Sequence, residues 1–206
     1  TVDVPVSDGQ TSVDLNVEVV DPAGNTGSGS DTKPVDNITP TLEVELEPGS
    51  GSTGSYNEAD TSDGTVEGTV TLDPGTTKPG DTVVITDGQG NELMNRPVTQ
   101  DDIDNGITVE VPVTSGQADV ELNATVTDPA GNTSDGQDDS GVDNVGPGAS
   151  VELEPGTGPG GSYNEGDITD GTVTGEITLT PETVPGDTVV VTDGTGNELI
   201  HRPVTQ

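Results

Sequence analysis

The chain has 206 residues, with 39 acidic side chains against 4 basic ones, a formal charge of −35, 30 Gly, 16 Pro, one His and no Cys, Trp or Phe. Such a surface repels nucleic-acid phosphates, the missing Cys rules out a disulfide scaffold and, with a single His, a soft-metal site. No apolar run reaches the ~20 residues of a membrane helix, and no signal peptide is read at the start.

Composition this acidic and Gly/Pro-rich borders on that of disordered polymers, but the pattern of residues is that of an all-β fold. In chain order, residues 1–36 read as the closing strands of one domain, with the turn Asp21-Pro22-Ala23-Gly24-Asn25 inside them. Thr41-Leu42-Glu43-Val44-Glu45-Leu46-Glu47 alternates apolar and acidic residues and predicts strand A near 41–47. An acidic loop follows over residues 56–64, then strand B near 65–72 and strand C near 82–87. Asp87-Gly88-Gln89-Gly90-Asn91 reads as a hairpin turn into a strand or strand pair near 91–98. Residues 101–106 read as a plain turn, their spacing being wrong for an EF-hand. Strand E is predicted near 107–113, with Pro112 at an outward position that marks an edge or a bulge. Strand F near 118–127 has the longest alternation. The turn Asp128-Pro129-Ala130-Gly131-Asn132 and strand G near 133–142 close the set, and residues 144–206 begin it again. No segment has a helical stripe.

The chain is a tandem repeat. Asp21-Pro22-Ala23-Gly24-Asn25 returns as residues 128–132, Ser55-Tyr56-Asn57-Glu58 as residues 162–165, and Arg96-Pro97-Val98-Thr99-Gln100 as residues 202–206. The offset of about 107 residues slips by one before Pro79 and matches one immunoglobulin-like β-sandwich. The Pro-terminated stretches at 35–40 and 142–147 are the natural linkers. On that frame residues 37–143 form one complete domain, 1–36 the C-terminal strands of a preceding repeat and 144–206 the N-terminal strands of a following one. Two part-domains expose bare edges and half a core, so the chain is expected to be a segment of a longer array. Complementation of the two parts between neighbouring molecules is a further expectation. It fails if every domain closes within one chain.

No enzyme is read here. His201 aligns with Asn95 in the other repeat, no Cys offers a nucleophile, Ser and Thr lack a base, and no Phe or Trp lines a sugar cleft. The acidic loops are the informative feature. Asn57, Glu58, Asp60 and Asp63 put four oxygen-bearing side chains into the A–B loop, and Asn164, Glu165, Asp167 and Asp170 repeat them. Oxygen donors of this kind suit Ca²⁺, and like charges clustered without Lys or Arg repel one another unless a cation sits among them. The alternative is a solvated turn, since Asp and Asn form turns on their own. The same choice applies to Asp128 and Asn132, and to Asp21 and Asn25. In a sandwich the F–G turn lies at the pole of the entering linker and the A–B loop at the pole of the leaving one. Asp128 and Asn132 are therefore expected near Asp36 and Asn37, and the A–B loop near Asp143 and Asn144, so that a cation at each joint would be shared by consecutive domains. Arg96 and Arg202 are expected to pair with a nearby carboxylate, and Tyr56 and Tyr163 to cover a pole of the sandwich.

With D-P-A-G-N-T at a strand end and V-D-N-x-x-P at the linker, inside acidic repeats of this length, the whole chain resembles the Ig-like extender repeats of giant calcium-dependent repeats-in-toxin bacterial adhesins, of the biofilm and ice-adhesion type. The resemblance implies a rod between a membrane anchor and terminal binding domains, with calcium stiffening the joints. It implies ligands among Asp21, Asp36, Asp128 and Asp143 and in the loops 57–63 and 164–170. It also implies a secreted, bacterial cell-surface location, with neighbouring repeats as the only partners: no nucleic acid, no membrane contact by this segment and no small-molecule substrate. A module that binds a carbohydrate or surface ligand is the other reading. The near-identical acidic loops and the lack of an aromatic platform favour the spacer.

Overall fold

The computed structural model describes every residue except 52 and 206. The chain divides into two compact units, Thr1–Val142 and Asp143–Gln206. The first unit opens with a hairpin of β1 (Ser12–Val20) and β2 (Thr26–Pro34), paired antiparallel from Ser12 with Pro34 to Val20 with Thr26. Then come β3 (Leu42–Leu46), β4 (Tyr56–Asn57), β5 (Thr65–Leu72), β6 (Thr82–Asp87), β7 (Glu92–Pro97), a short helix α1 (Gln100–Asn105), β8 (Ile107–Pro112), β9 (Asp119–Thr127) and β10 (Thr133–Asp143). The seven expected strands form within one or two residues of their expected ends.

Strands β3–β5–β8 make one sheet and β4–β10–β9–β6–β7 the other, an arrangement of an immunoglobulin-like sandwich. The alternation drives it. Along β9, Val120, Leu122, Ala124 and Val126 are buried while Glu121, Asn123 and Thr125 face outward. They meet Val44, Leu46, Val66, Val70 and Leu72 of the opposite sheet in one core cluster. Each such Val or Leu contributes about 1.5–3 kcal/mol of burial.

Two inward-facing glycines bring the sheets close. A Cβ on Gly68 of β5 would lie 2.4 Å from Leu122 Cδ2, and one on Gly136 of β10 would lie 2.9 Å from Val44 Cγ2. That approach lets the Asp138 carboxylate on β10 accept from the Leu46 N–H of β3 at 2.8 Å, which satisfies a donor on an otherwise open edge. Pro112 ends β8, an edge strand, as its missing N–H demands.

Helix α1 replaces the turn expected at 101–106. Thr99 caps it: its hydroxyl accepts from the Asp102 N–H at 3.3 Å, while the Asp102 carboxylate accepts from the Thr99 N–H at 2.7 Å, a capping box. Ile103 is the buried apolar anchor. Six residues are too few to display a helical stripe, so periodicity misses the element. Arg96 finds its carboxylate here, donating to both oxygens of Asp102 at 2.6 and 2.8 Å. That pairing, backed by Thr99 and opposed by burial, holds the Asp102 carboxyl well below its usual range. Among the described residues Arg202 makes no ion pair.

The second unit holds β11 (Ala149–Leu153) paired with β12 (Gly175–Leu179), and β13 (Thr188–Thr192) paired with β14 (Glu198–Pro203). Each pair is a two-stranded sheet. The registers repeat those of β3 with β5 and β6 with β7, down to the bulge after Ile85 and its equivalent Val191.

Candidate functional site

The Asp-Pro-Ala-Gly-Asn turns are self-contained. Asp128 Oδ1 accepts from the N–H groups of Ala130 (2.9 Å) and Asn132 (2.8 Å), and Oδ2 accepts from the Asn132 amide at 2.7 Å. The backbone closes the loop, Asp128 N–H donating to Asn132 C=O and Gly131 N–H to Asp128 C=O. Gly131 sits at φ +95°, a left-handed position that suits glycine. Asp21 and Asn25 form the same turn in the β1–β2 hairpin. So do Asp87 with Asn91 and Asp193 with Asn197, each in the middle of a hairpin. A carboxylate that folds its own turn at all four sites does the work of a hairpin loop with a glycine bulge. The Asn132 amide leads the groups that pull the Asp128 carboxyl below its ordinary value, and Asn25 does the same for Asp21.

The A–B loop is a second hydrogen-bonded unit. Asp60 Oδ2 accepts from the N–H of Asn57 (3.0 Å) and of Ser50 (2.9 Å), while Oδ1 accepts from the Ser50 hydroxyl at 2.8 Å. Asn57 donates to the same hydroxyl and accepts from Ala59 N–H. The Asn57 N–H leads the groups that lower the Asp60 carboxyl. In the second unit Asp167, Thr157 and Asn164 reproduce this, with Thr157 in place of Ser50. Asp63 accepts from the N–H of Thr65, which opens β5, and Asp170 from the N–H of Thr172, three residues before β12. Glu58 and Glu165 are exposed. Tyr56 is buried beneath the loop with its hydroxyl donating to the Glu47 carbonyl. Burial first, then the charges of Asp138, Glu47 and Asp60, push its pKa up to about 12.

At the joint within the first unit, two asparagines carry the contacts. Asn37 accepts from Gly9 N–H at 2.9 Å and donates to the Ser7 carbonyl at 3.0 Å, which ties the linker to the turn before β1. From the other side the Asn132 amide donates to the Asp36 carbonyl at 3.2 Å, while the Asp36 carboxylate accepts from Ile38 N–H. Asn132, Asp36 and Asn37 thus meet around one linker, with Asp128 held in the turn that presents Asn132. Asp143 and Asn144 open the second unit. Ser7, Gly9, Ser50 and Thr157 escape a reading that looks only for carboxylates. Their signal is that the Asp and Asn side chains need donors and acceptors of their own.

The donor chemistry of these loops, Asp and Asn oxygens with backbone carbonyls, fits a hard cation. Among the described residues, however, no group of three or more His, Cys, Asp or Glu is gathered closely enough to hold a metal ion. The carboxylates of Asp21, Asp60, Asp128 and Asp167 are each turned onto N–H groups of their own loops.

No protein-family model and no curated protein sequence matches the chain. Among solved structures it is similar to a Ca²⁺-stabilized adhesin with which an Antarctic bacterium reaches out and binds ice, at 26% identity over 87% of this chain and 43% of that one, with a TM-score of 0.40. It is similar to a bacterial immunoglobulin-like domain of the M. primoryensis ice-binding adhesin, at 26% identity over 52% of this chain and 99% of that one, TM-score 0.34. A tetra-tandem repeat from the extending region of a large adhesion protein matches at 20% identity over 94% of this chain and 45% of that one, TM-score 0.34. The chain therefore spans under half the length of the first of these structures.

Proposed function

We propose that this chain is an extender segment of a large bacterial surface adhesin: a spacer without catalytic activity that holds terminal binding domains away from the cell. The observation that carries this reading is the repeat of one acidic sandwich whose equivalent loops keep the same hydrogen-bonded design, Asp60 with Ser50 in one copy and Asp167 with Thr157 in the next. A specific binding face would differ between copies, whereas a spacer needs only a folded module and a joint. Repulsion from a charge of −35 keeps neighbouring modules apart. The linker contacts of Asn37 and Asn132 supply the protein's own share of one joint.

Calcium belongs to the proposal as the ion that lowers this repulsion and stiffens the joints. At the first joint Asp36, Asn37, Asp128 and Asn132 would hold it. Asp128 would have to share oxygens now committed to its turn, so the affinity expected is that of weak extracellular sites, roughly 10⁻⁴–10⁻³ M. Calorimetric titration of the chain with Ca²⁺, repeated with Asp128→Ala, tests this part. Saturable uptake in that range, reduced by the substitution, supports it, and the absence of saturable uptake below ~10⁻² M removes calcium from the proposal.

A further inference from the structure

Asparagine followed by glycine rearranges readily without an enzyme, because glycine leaves its backbone nitrogen unshielded and free to swing onto the asparagine side chain. Asn105-Gly106 is the one such pair in the chain. It closes helix α1 and leads into β8, whose first residue, Ile107, is buried opposite Val70 of β5. The fold needs the glycine, since Gly106 sits at φ +78° and ψ 174°, a region closed to other residues. Asn105 is exposed, yet both groups that would react are held. Its amide donates to Asp101 Oδ1 at 2.7 Å, and the Gly106 N–H donates to the Asp102 carbonyl at 2.9 Å. The helix that places them rests on the Thr99–Asp102 capping box, the Arg96–Asp102 pair and buried Ile103.

We propose that Asn105-Gly106 is a self-modification site that the fold keeps closed and that local unfolding of α1 opens. Once the segment is free, hydroxide removes the Gly106 N–H proton and the nitrogen attacks Asn105 Cγ. The new C–N bond closes a five-membered imide, and the side-chain nitrogen leaves as ammonia. Water then opens the imide at either carbonyl. The product is aspartate at position 105, or isoaspartate, in which the backbone runs through the former side chain and gains a methylene. One water is consumed and one ammonia released, with no oxidant, metal or partner. Both products oppose re-formation of α1. The donor to Asp101 becomes a carboxylate facing a carboxylate four residues back. Isoaspartate also lengthens the path from α1 to β8, so the Gly106 N–H loses the Asp102 carbonyl while Ile107 keeps its place in the core. The segment thus retains a covalent record that the module has opened. The proposal holds for this chain independently of the adhesin reading.

The test is to age the whole chain in mildly alkaline buffer, with and without concentrated urea, and to follow each Asn by peptide mass spectrometry. The expected result is a gain of about 1 Da at Asn105, at least about tenfold faster in urea than in buffer. In urea Asn105 should also react faster than any other Asn of the chain. Asp102→Asn removes the Arg96 pairing that steadies α1, so it should raise the rate in buffer severalfold and leave the rate in urea unchanged. Chain aged in urea and returned to buffer should exchange the Gly106 N–H faster than fresh chain does. Equal rates in the two solutions, another Asn that outpaces Asn105 in urea, or an Asp102→Asn rate in buffer equal to the parent's would each overturn the proposal. So would aged chain that protects the Gly106 N–H as well as fresh chain.

Discussion

Asp102 joins more partners than any other acid of the sandwich: both amino groups of Arg96, the Thr99 N–H and the Thr99 hydroxyl. Charge-assisted hydrogen bonds and a helix cap of this kind are together worth roughly 2–3 kcal/mol, and Asp102→Asn is expected to lower stability to urea by about that much. Its pH dependence follows from the sign of the shift. The native carboxyl titrates below the unfolded one, so the stabilisation is complete above the ordinary value of 3.8 and is lost as pH falls through the native value. The stability gap between the parent and Asp102→Asn should therefore be constant from neutral pH to about pH 5 and close in more acidic solution. A gap that widens on acidification would refute the assignment. At the joint, Asn37→Ala removes the acceptor of Gly9 N–H. Faster hydrogen exchange at Gly9 with an unchanged melting temperature of the sandwich is the expected outcome.

Among the elements, β5 shows best how sheet separation is set by one residue. Gly68 is buried against Leu122, itself 0% exposed and without room to swing away. Gly68→Ala is expected to cost about 1–3 kcal/mol by overpacking. The same change at Gly175 meets Leu153 Cδ2 at 3.3 Å on an open face and should cost little. Equal losses at both positions, measured by denaturant unfolding, would contradict this view of the core. The strands themselves were legible in the sequence because period-two alternation in β5, β8 and β9 records which face is buried. Strand β4 was not, since two residues carry no period, and its Tyr56 is fixed by a bond to Glu47 that spacing does not reveal. For the acidic loops, sequence identifies the residue types but not their commitments. Asp60 and Asp128 look alike as free carboxylates in the sequence, yet in the fold each is engaged by N–H groups a few residues away. Those short contacts depend on local backbone angles.

For the whole molecule, the governing quantities are the repeat and the charge. A module of this kind has little apolar area per residue, and its loops hold themselves by carboxylate-to-backbone bonds that survive in an acidic, Gly-rich sequence. Such modules can be strung in number without new chemistry at each copy, provided the joints resist bending. Small-angle scattering from a chain of four consecutive repeats, in millimolar Ca²⁺ and again in chelator, tests the extender reading most directly. A calcium-stiffened spacer must show a maximum dimension that grows in proportion to the number of repeats in calcium and a shorter, flexible particle in chelator. Curves that are identical in the two conditions and fit a compact or freely jointed chain would contradict it.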